Sequence, residues 1–395
     1  MAATLVTHPA RQHSHQLARA LFERDRLQGY WAGVPAAAPE TKGPLYRLLA
    51  RLSPQPTVGL PSRLVRHNYI VPLTWRLAGT VLSQSRAVAL RHRADAQFDA
   101  WAARRLPEDI QAVVCYENAA LDTFRTAREQ GATTILDAAS FHYARQDAFY
   151  EPAEPDEAHE KINARKEQEI QYADHILTVS ELARESYLDA GVSPDRVTSV
   201  PMGADLSSFT PDEDPTADGS EPFTFLFAGH ASRRKGVDVL LRSSEQLSRE
   251  GFSHRLQFAG GRNESLFETT EAPIDLLGYL DRPNLAEAFR QADCLVVPSR
   301  HDSFGRVVVE AMATGTPALV SEHVGAKEVI NEGRNGWIVP AEDTEALTEQ
   351  MRWCVKNRKQ TVSMHDAAVK SARQYSWEAY RERVIKTIEH ILKAE

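Results

Sequence analysis

The chain reads as an α/β protein built from two doubly wound domains, and three observations predict this. Its 395 residues exceed one hydrophobic core and suit two domains of about 150 to 200 residues each. Short β-branched or apolar runs alternate with amphipathic segments, which is the rhythm of parallel strands covered by helices on both faces. One composition break, "SSFTPDEDPTADGSEP" at 207–222, is rich in Pro, Asp and Ser and poor in apolar residues, as a linker between domains should be.

The predicted strands follow in order: 112–117 (AVVCYE), 133–139 (TTILDAA), 175–180 (HILTVS), 223–229 (FTFLFAG), 255–261 (RLQFAGG), 293–299 (DCLVVPS) and 317–322 (PALVSE). A further short strand precedes the loop that carries His8, His13 and His15. That loop either contacts a bound ligand or is a solvated helix start. Metal binding is a third reading, for which the spacing offers no zinc motif and no partner cysteine or carboxylate. Residues 41–93 mix Arg with Leu, Tyr and Trp. They read first as core with snorkelling arginines and second as a face for anionic lipid head groups.

Composition excludes several classes. Hydrophobic residues make up 42% and charged residues 25%, and no apolar run approaches the roughly 18 residues that span a bilayer. No basic start with an uninterrupted apolar core marks a secretory signal, so the expectation is a cytoplasmic protein. Cys115, Cys294 and Cys354 are isolated and read as structural thiols. The net charge of −8 conceals an excess at 11–105, where fifteen Lys and Arg face five Asp and Glu. Solvated helix faces explain that excess, or else an anionic substrate or peripheral contact with the inner face of the plasma membrane does. Nucleic acid is not expected, because the whole chain is acidic and carries no binding motif.

In open α/β sheets ligands sit beyond the carboxyl ends of the strands. Three loops of the second domain stand out there. "GHASRRKG" places Gly229, Arg233, Arg234 and Lys235 ahead of a helix, as a diphosphate clamp or as a solvated basic turn. Gly260 and Gly261 allow close backbone approach. "RHDSFGRVVVE" should begin a helix near Phe304 or Gly305, leaving the N–H groups of 304–307 free for an anion. Asp302 precedes that helix and either favours its dipole or accepts from sugar hydroxyls. Glu310, amid valines and alanines, is costly to bury unless hydrogen-bonded, and a ribose diol supplies two donors to one carboxylate.

These residues carry a resemblance. "DSFGRVVVE" has two acidic residues separated by seven, and "KGVDVLL", "QFAGG", "ADCLVVPS", "EAMATGTPALVSEHVGAKEVI" and "NGWIVPAEDTEAL" surround it in order. Over roughly residues 173 to 350 the chain resembles the retaining family 4 glycosyltransferases of GT-B fold, with Asp302 where the family usually has Glu. The resemblance implies two Rossmann-like domains facing across a cleft. An acceptor domain would span 1–205, completed by a final helix at 376–395, and a donor domain 206–375.

By the same resemblance, Lys235 and Arg234 would contact the donor diphosphate, and the backbone of Phe304, Gly305, Arg306 and Val307, next to Ser303, would cap it. Glu310 would hold the ribose and Asp302 the transferred sugar. His142, in the loop after the 133–139 strand, would position the donor sugar; Asp137 would orient His142 or, with His13 and His15, bind the acceptor. The implied activity moves a hexosyl unit from a nucleotide diphosphate sugar, UDP-hexose before GDP-mannose, to a hydroxyl of a glycan or glycolipid in cell-surface polysaccharide or glycolipid assembly. No metal or other cofactor is expected, and the "DED" at 212–214 reads as solvated linker. The competing readings are a non-catalytic nucleotide- or sugar-binding relative and a nucleotide-sugar epimerase of the same fold.

Overall fold

A computed structural model describes residues 3–33, 43, 58–68, 74, 84–149, 157–211 and 221–394. The predicted linker therefore lies outside the described residues over 212–220, as do the "DED" and most of 41–83.

The chain divides into two compact units. The first comprises Met1–Thr178, Ser186–Val200 and Tyr380–Glu395, and the second Val179–Glu185 and Pro201–Ala379. The division thus falls at 200/201 rather than at 205/206, because the chain at Ala204 already bridges Ser376 of the second unit.

The first unit holds a parallel sheet in the order β3-β2-β1-β4-β5-β6-β7. These strands are β1 (Thr4–His8), β2 (Leu27–Ala32), β3 (Val65–His67), β4 (Ala112–Tyr116), β5 (Thr133–Ala138), β6 (His175–Thr178) and β7 (Val197–Ser199). The second unit holds the order β10-β9-β8-β11-β12-β13. Here the strands are β8 (Phe223–Ala228), β9 (His254–Ala259), β10 (Ile274–Gly278), β11 (Cys294–Val297), β12 (Ala318–Ser321) and β13 (Gly336–Val339).

Every residue of β1, β5, β8, β11 and β12 is buried, as expected of strands covered on both faces. In the second unit Phe225, Phe227, Leu240, Leu256 and Val296 belong to one apolar cluster that joins strands to the helix Val237–Arg249. The strand order reverses between β1 and β4 and again between β8 and β11. At such switch points the loops leave in opposite directions and open a crevice for ligands. The last helix, Trp377–Ala394, ties its distal part into the first unit: Arg26 pairs with Glu389 at 3.2 Å and Arg381 donates to Gln16 at 2.8 Å.

All three cysteines are buried and unbridged. Among the described residues no helix is long and apolar enough to cross a membrane.

Candidate functional site

The second unit brings the three predicted loops together at its switch point. Register pairs Cys294 of β11 with Phe225 of β8, so the loops leaving these two strands emerge side by side. Gly236 sits where they touch. It has φ +68°, and a Cβ there would lie 1.9 Å from the Pro298 carbonyl oxygen, so no other residue fits without moving backbone. Gly229 and Gly260 make the second close approach, since a Cβ on Gly260 would lie 2.2 Å from the Gly229 oxygen.

The basic loop is held in place by these contacts. Arg233–Lys235 form a single 3-10 turn that ends in Gly236. Arg233 and Arg234 are exposed and Lys235 is half-buried. Arg234 donates to the His301 carbonyl at 2.9 Å, and Lys235 donates to the carboxylate of Asp302. Arg300, which sequence reasoning passed over, grips Asp238 with both ends of its guanidinium, Nη1 to Oδ1 at 2.6 Å and Nη2 to Oδ2 at 2.9 Å. Burial pushes Asp238 up, but the Arg300 fork prevails and holds its carboxyl below the usual range.

The acidic loop is fastened on its far side. Asp302 bonds through its backbone to His323 and Gly325, the Ser303 carbonyl accepts from the Ser180 hydroxyl at 2.6 Å, and the Phe304 carbonyl accepts from the Ala326 amide at 2.6 Å. Phe304 itself is buried, so it anchors the loop and the helix begins later than expected, at Arg306. Gly305, φ +88°, is its N-cap. Among the described residues the amides of 304–307 find no acceptor, which leaves the donors that a helix N-terminus offers to an anion. The Asp302 carboxylate lies beside this terminus, within 3.4 Å of where a Cβ on Gly305 would be.

Glu310 lies about one turn further along the same helix, in the wall of a pocket of about 330 Å³. Gly229, Gly260, Tyr279, Leu285 and Val307 also line it. Among the described residues the Glu310 carboxylate makes no hydrogen bond or ion pair with any side chain or loop amide. Burial pushes its carboxyl above the usual range, against the pull of Arg306 and Arg282. A half-buried carboxylate that no protein group pairs is open to donors from outside the protein. Tyr279, 89% exposed, stands at the same pocket and offers a flat face.

The first unit is arranged differently from the sequence expectation. His13, on the loop after β1, and Asp137, on β5, are both buried, and His13 Nε2 meets Asp137 Oδ1 at 2.9 Å. Asp137 therefore orients His13, not His142. His142 caps the short helix Tyr143–Asp147: its Nδ1 accepts from the Ala144 amide at 3.3 Å. That bond puts the proton on Nε2, and burial lowers the pKa of the ring, so His142 is a neutral donor at Nε2. His15 is half-buried, with its pKa pushed down to about 3 by desolvation, and its Nε2 meets the Gln16 side-chain amide at 3.2 Å. His8 accepts from the Ala10 amide at 2.8 Å and stacks on Tyr116. Among the described residues no three His, Cys, Asp or Glu side chains gather into a metal-holding group, so the histidines of the first loop do not form one. Of 41–93, the described Arg66 lies over the Trp31 ring, 5.3 Å from its centroid, in the manner of a snorkelling arginine.

Two parallel doubly wound sheets, with a Gly-lined pocket, a basic turn and a free helix N-terminus at the second switch point, define the GT-B class, and solved structures agree. Sucrose-phosphate synthase from Thermosynechococcus elongatus superposes over 100% of both chains with a TM-score of 0.69 at 18% identity. HepE of Anabaena, solved in complex with UDP and glucose, covers 99% of this chain and 100% of its own at TM-score 0.66 and 13% identity. Residues 210–374 match the family Glycosyl transferases group 1. The D-inositol 3-phosphate glycosyltransferase 1 of Catenulispora acidiphila is 31% identical over 216 residues, 49% of this chain and 52% of the relative. The corresponding enzyme of Nocardia farcinica is 30% identical over 222 residues, 51% and 49% of the two chains. This chain thus spans about half the length of the curated relatives it matches.

Proposed function

We propose that the protein is a retaining, metal-independent glycosyltransferase that moves a hexosyl unit from a nucleotide diphosphate sugar to an acceptor hydroxyl. The observation that carries this reading is the unpartnered carboxylate of Glu310, which lines a pocket on the same helix whose first amides are free. A nucleoside diphosphate satisfies both ends at once. Its ribose diol donates to Glu310, and its phosphates accept from the amides of 304–307, from Lys235 and from Arg234. Tyr279 offers a face for the base. UDP is the first choice of nucleotide, supported by the UDP bound to HepE, and GDP the second.

Chemistry follows from charge. As the bond between sugar and phosphate breaks, negative charge grows on the diphosphate, where fixed cations and amides lie ready and no divalent ion is needed. Asp302 accepts from hydroxyls of the sugar. The acceptor attacks the face that the phosphate leaves, a leaving phosphate oxygen takes its proton, and configuration is kept. In this scheme Nε2–H of His142 donates to the sugar; it does not act as a base.

For the acceptor, the names of the curated relatives support a phosphorylated polyol or sugar in place of the glycan or glycolipid expected from sequence. The assay is proton NMR of products formed from UDP-glucose with inositol 3-phosphate, with a sugar phosphate and with a glycolipid, each in EDTA. An α-linked product and free UDP support the proposal. A β-linked product removes retention, an altered donor without acceptor indicates an epimerase, and tight binding without turnover indicates a non-catalytic relative.

A further inference from the structure

We infer that Arg300 is a positioning residue that locks the basic turn 233–236 to the acidic loop 300–305, and that this lock sets the register of the anion site; the inference rests on the nucleotide-binding reading above.

The geometry leaves Arg300 little other occupation. Its guanidinium has five N–H donors, and four contacts are filled: Nη1 to Asp238 Oδ1 and to the Arg233 carbonyl, Nη2 to Asp238 Oδ2, and Nε to Glu342 Oε1 at 2.6 Å. The side chain is only 18% exposed and Asp238 only 9%. With its donors committed inward, Arg300 is not a phosphate ligand, unlike the exposed arginines of the neighbouring turn.

What it joins is the site itself. The Arg300 amide donates to the Arg234 carbonyl at 3.0 Å, and Arg234 returns a bond to the His301 carbonyl. The next residue on each loop after this zip is Lys235 on one and, two past Arg300, Asp302 on the other, which pair. Arg300 therefore fixes how far Lys235 stands from the free amides of 304–307. A planar fork gripping a carboxylate at two points fixes orientation, which a lysine ammonium at the same place does not.

The test compares wild type, Arg300→Lys and Arg300→Gln by calorimetric titration with UDP and with inorganic pyrophosphate, and by melting temperature with and without UDP. A positioning role predicts that both variants lose about tenfold or more in affinity for each probe, since misaligned hydrogen bonds to a charged phosphate forfeit about 1.5 kcal/mol or more. It also predicts that the shift in melting temperature on adding UDP shrinks, and that Lys, despite its charge, fails to restore it. A purely structural role lowers the melting temperature with and without UDP alike and leaves the shift intact, which overturns the inference. Should Arg300→Gln not fold, Arg300→Lys carries the comparison alone. If the variants bind both probes as wild type does, Arg300 does not position the site. If wild type binds neither probe, the nucleotide reading fails and the inference falls with it.

Discussion

Lys235 and Asp302, on two different loops, form an ion pair in which both side chains are mostly shielded from water. The pair joins the residue proposed for the diphosphate to the residue proposed for the sugar. A donor must therefore exchange partners with it: phosphate takes the ammonium, and sugar hydroxyls take the carboxylate.

That exchange makes Asp302→Asn informative. Removing the carboxylate frees Lys235, so UDP should bind about fivefold tighter, the worth of a partly shielded pair of ~1 kcal/mol. Turnover should fall about tenfold or more, because the sugar loses its acceptor. Calorimetry with UDP and steady-state rates with UDP-glucose separate the two effects; a fall in both would mean that Asp302 supports the loop and nothing more.

Glu310→Gln should cost UDP about tenfold in affinity, the price of hydrogen bonds to a charged group. A pH effect accompanies it. The carboxyl of Glu310 is pushed up by burial, and only its ionised form accepts twice from a diol, so wild-type affinity should rise with pH through the raised pKa. Titrations across pH should show that rise in wild type on top of the ionisation of the UDP phosphate itself, and the phosphate contribution alone in the Gln variant.

Gly236→Ala should be among the most damaging small substitutions, at about 3 kcal/mol or more, because the position has a left-handed backbone and a new Cβ strikes the Pro298 carbonyl. Urea unfolding measures it; a loss under about 0.5 kcal/mol would show that the two loops separate readily.

The first unit carries a pH signature of its own. Burial pushes Asp95 up to about 7 and Glu169 up to about 8. Between about pH 4 and 7 the folded chain holds a proton at Asp95 that the unfolded chain has released, so this group makes stability fall as pH rises. His175, pushed down to about 4 by burial, acts oppositely and removes stability as pH falls below about 6.5. Asp95→Asn should flatten the fall toward pH 7, and His175→Gln the fall toward pH 4; thermal scans across pH 4 to 8 would expose either profile as unchanged.

The seven apolar runs at 112–117, 133–139, 175–180, 223–229, 255–261, 293–299 and 317–322 each coincide with a strand of the structure to within one residue at its start, because interior parallel strands are apolar on both faces and advertise themselves. β3, β7, β10 and β13 do not stand out in the sequence. They are the edges of the two sheets, where one side meets water and the pattern dilutes; Leu276 of β10 is 41% exposed. β2 lies inside its sheet but is broken by Gly29. At the site, Lys235, Asp302 and Glu310 were legible because charges at strand ends or in an apolar helix need a reason. Arg300 was not, since an arginine after a strand looks solvated until its fork on Asp238 is seen. The His13–Asp137 pair joins residues 124 apart in sequence, and no local pattern foretells such a contact.

The most direct test is the melting temperature of wild type and Lys235→Ala with a panel of UDP-, GDP- and ADP-sugars, with and without EDTA, since a ligand bound only by the folded state raises it. The account predicts a nucleotide-selective rise in wild type that EDTA leaves unchanged and that Lys235→Ala largely loses while still folded. A rise abolished by EDTA, or one equally large in the Lys235→Ala variant, would contradict a metal-free diphosphate site built around Lys235.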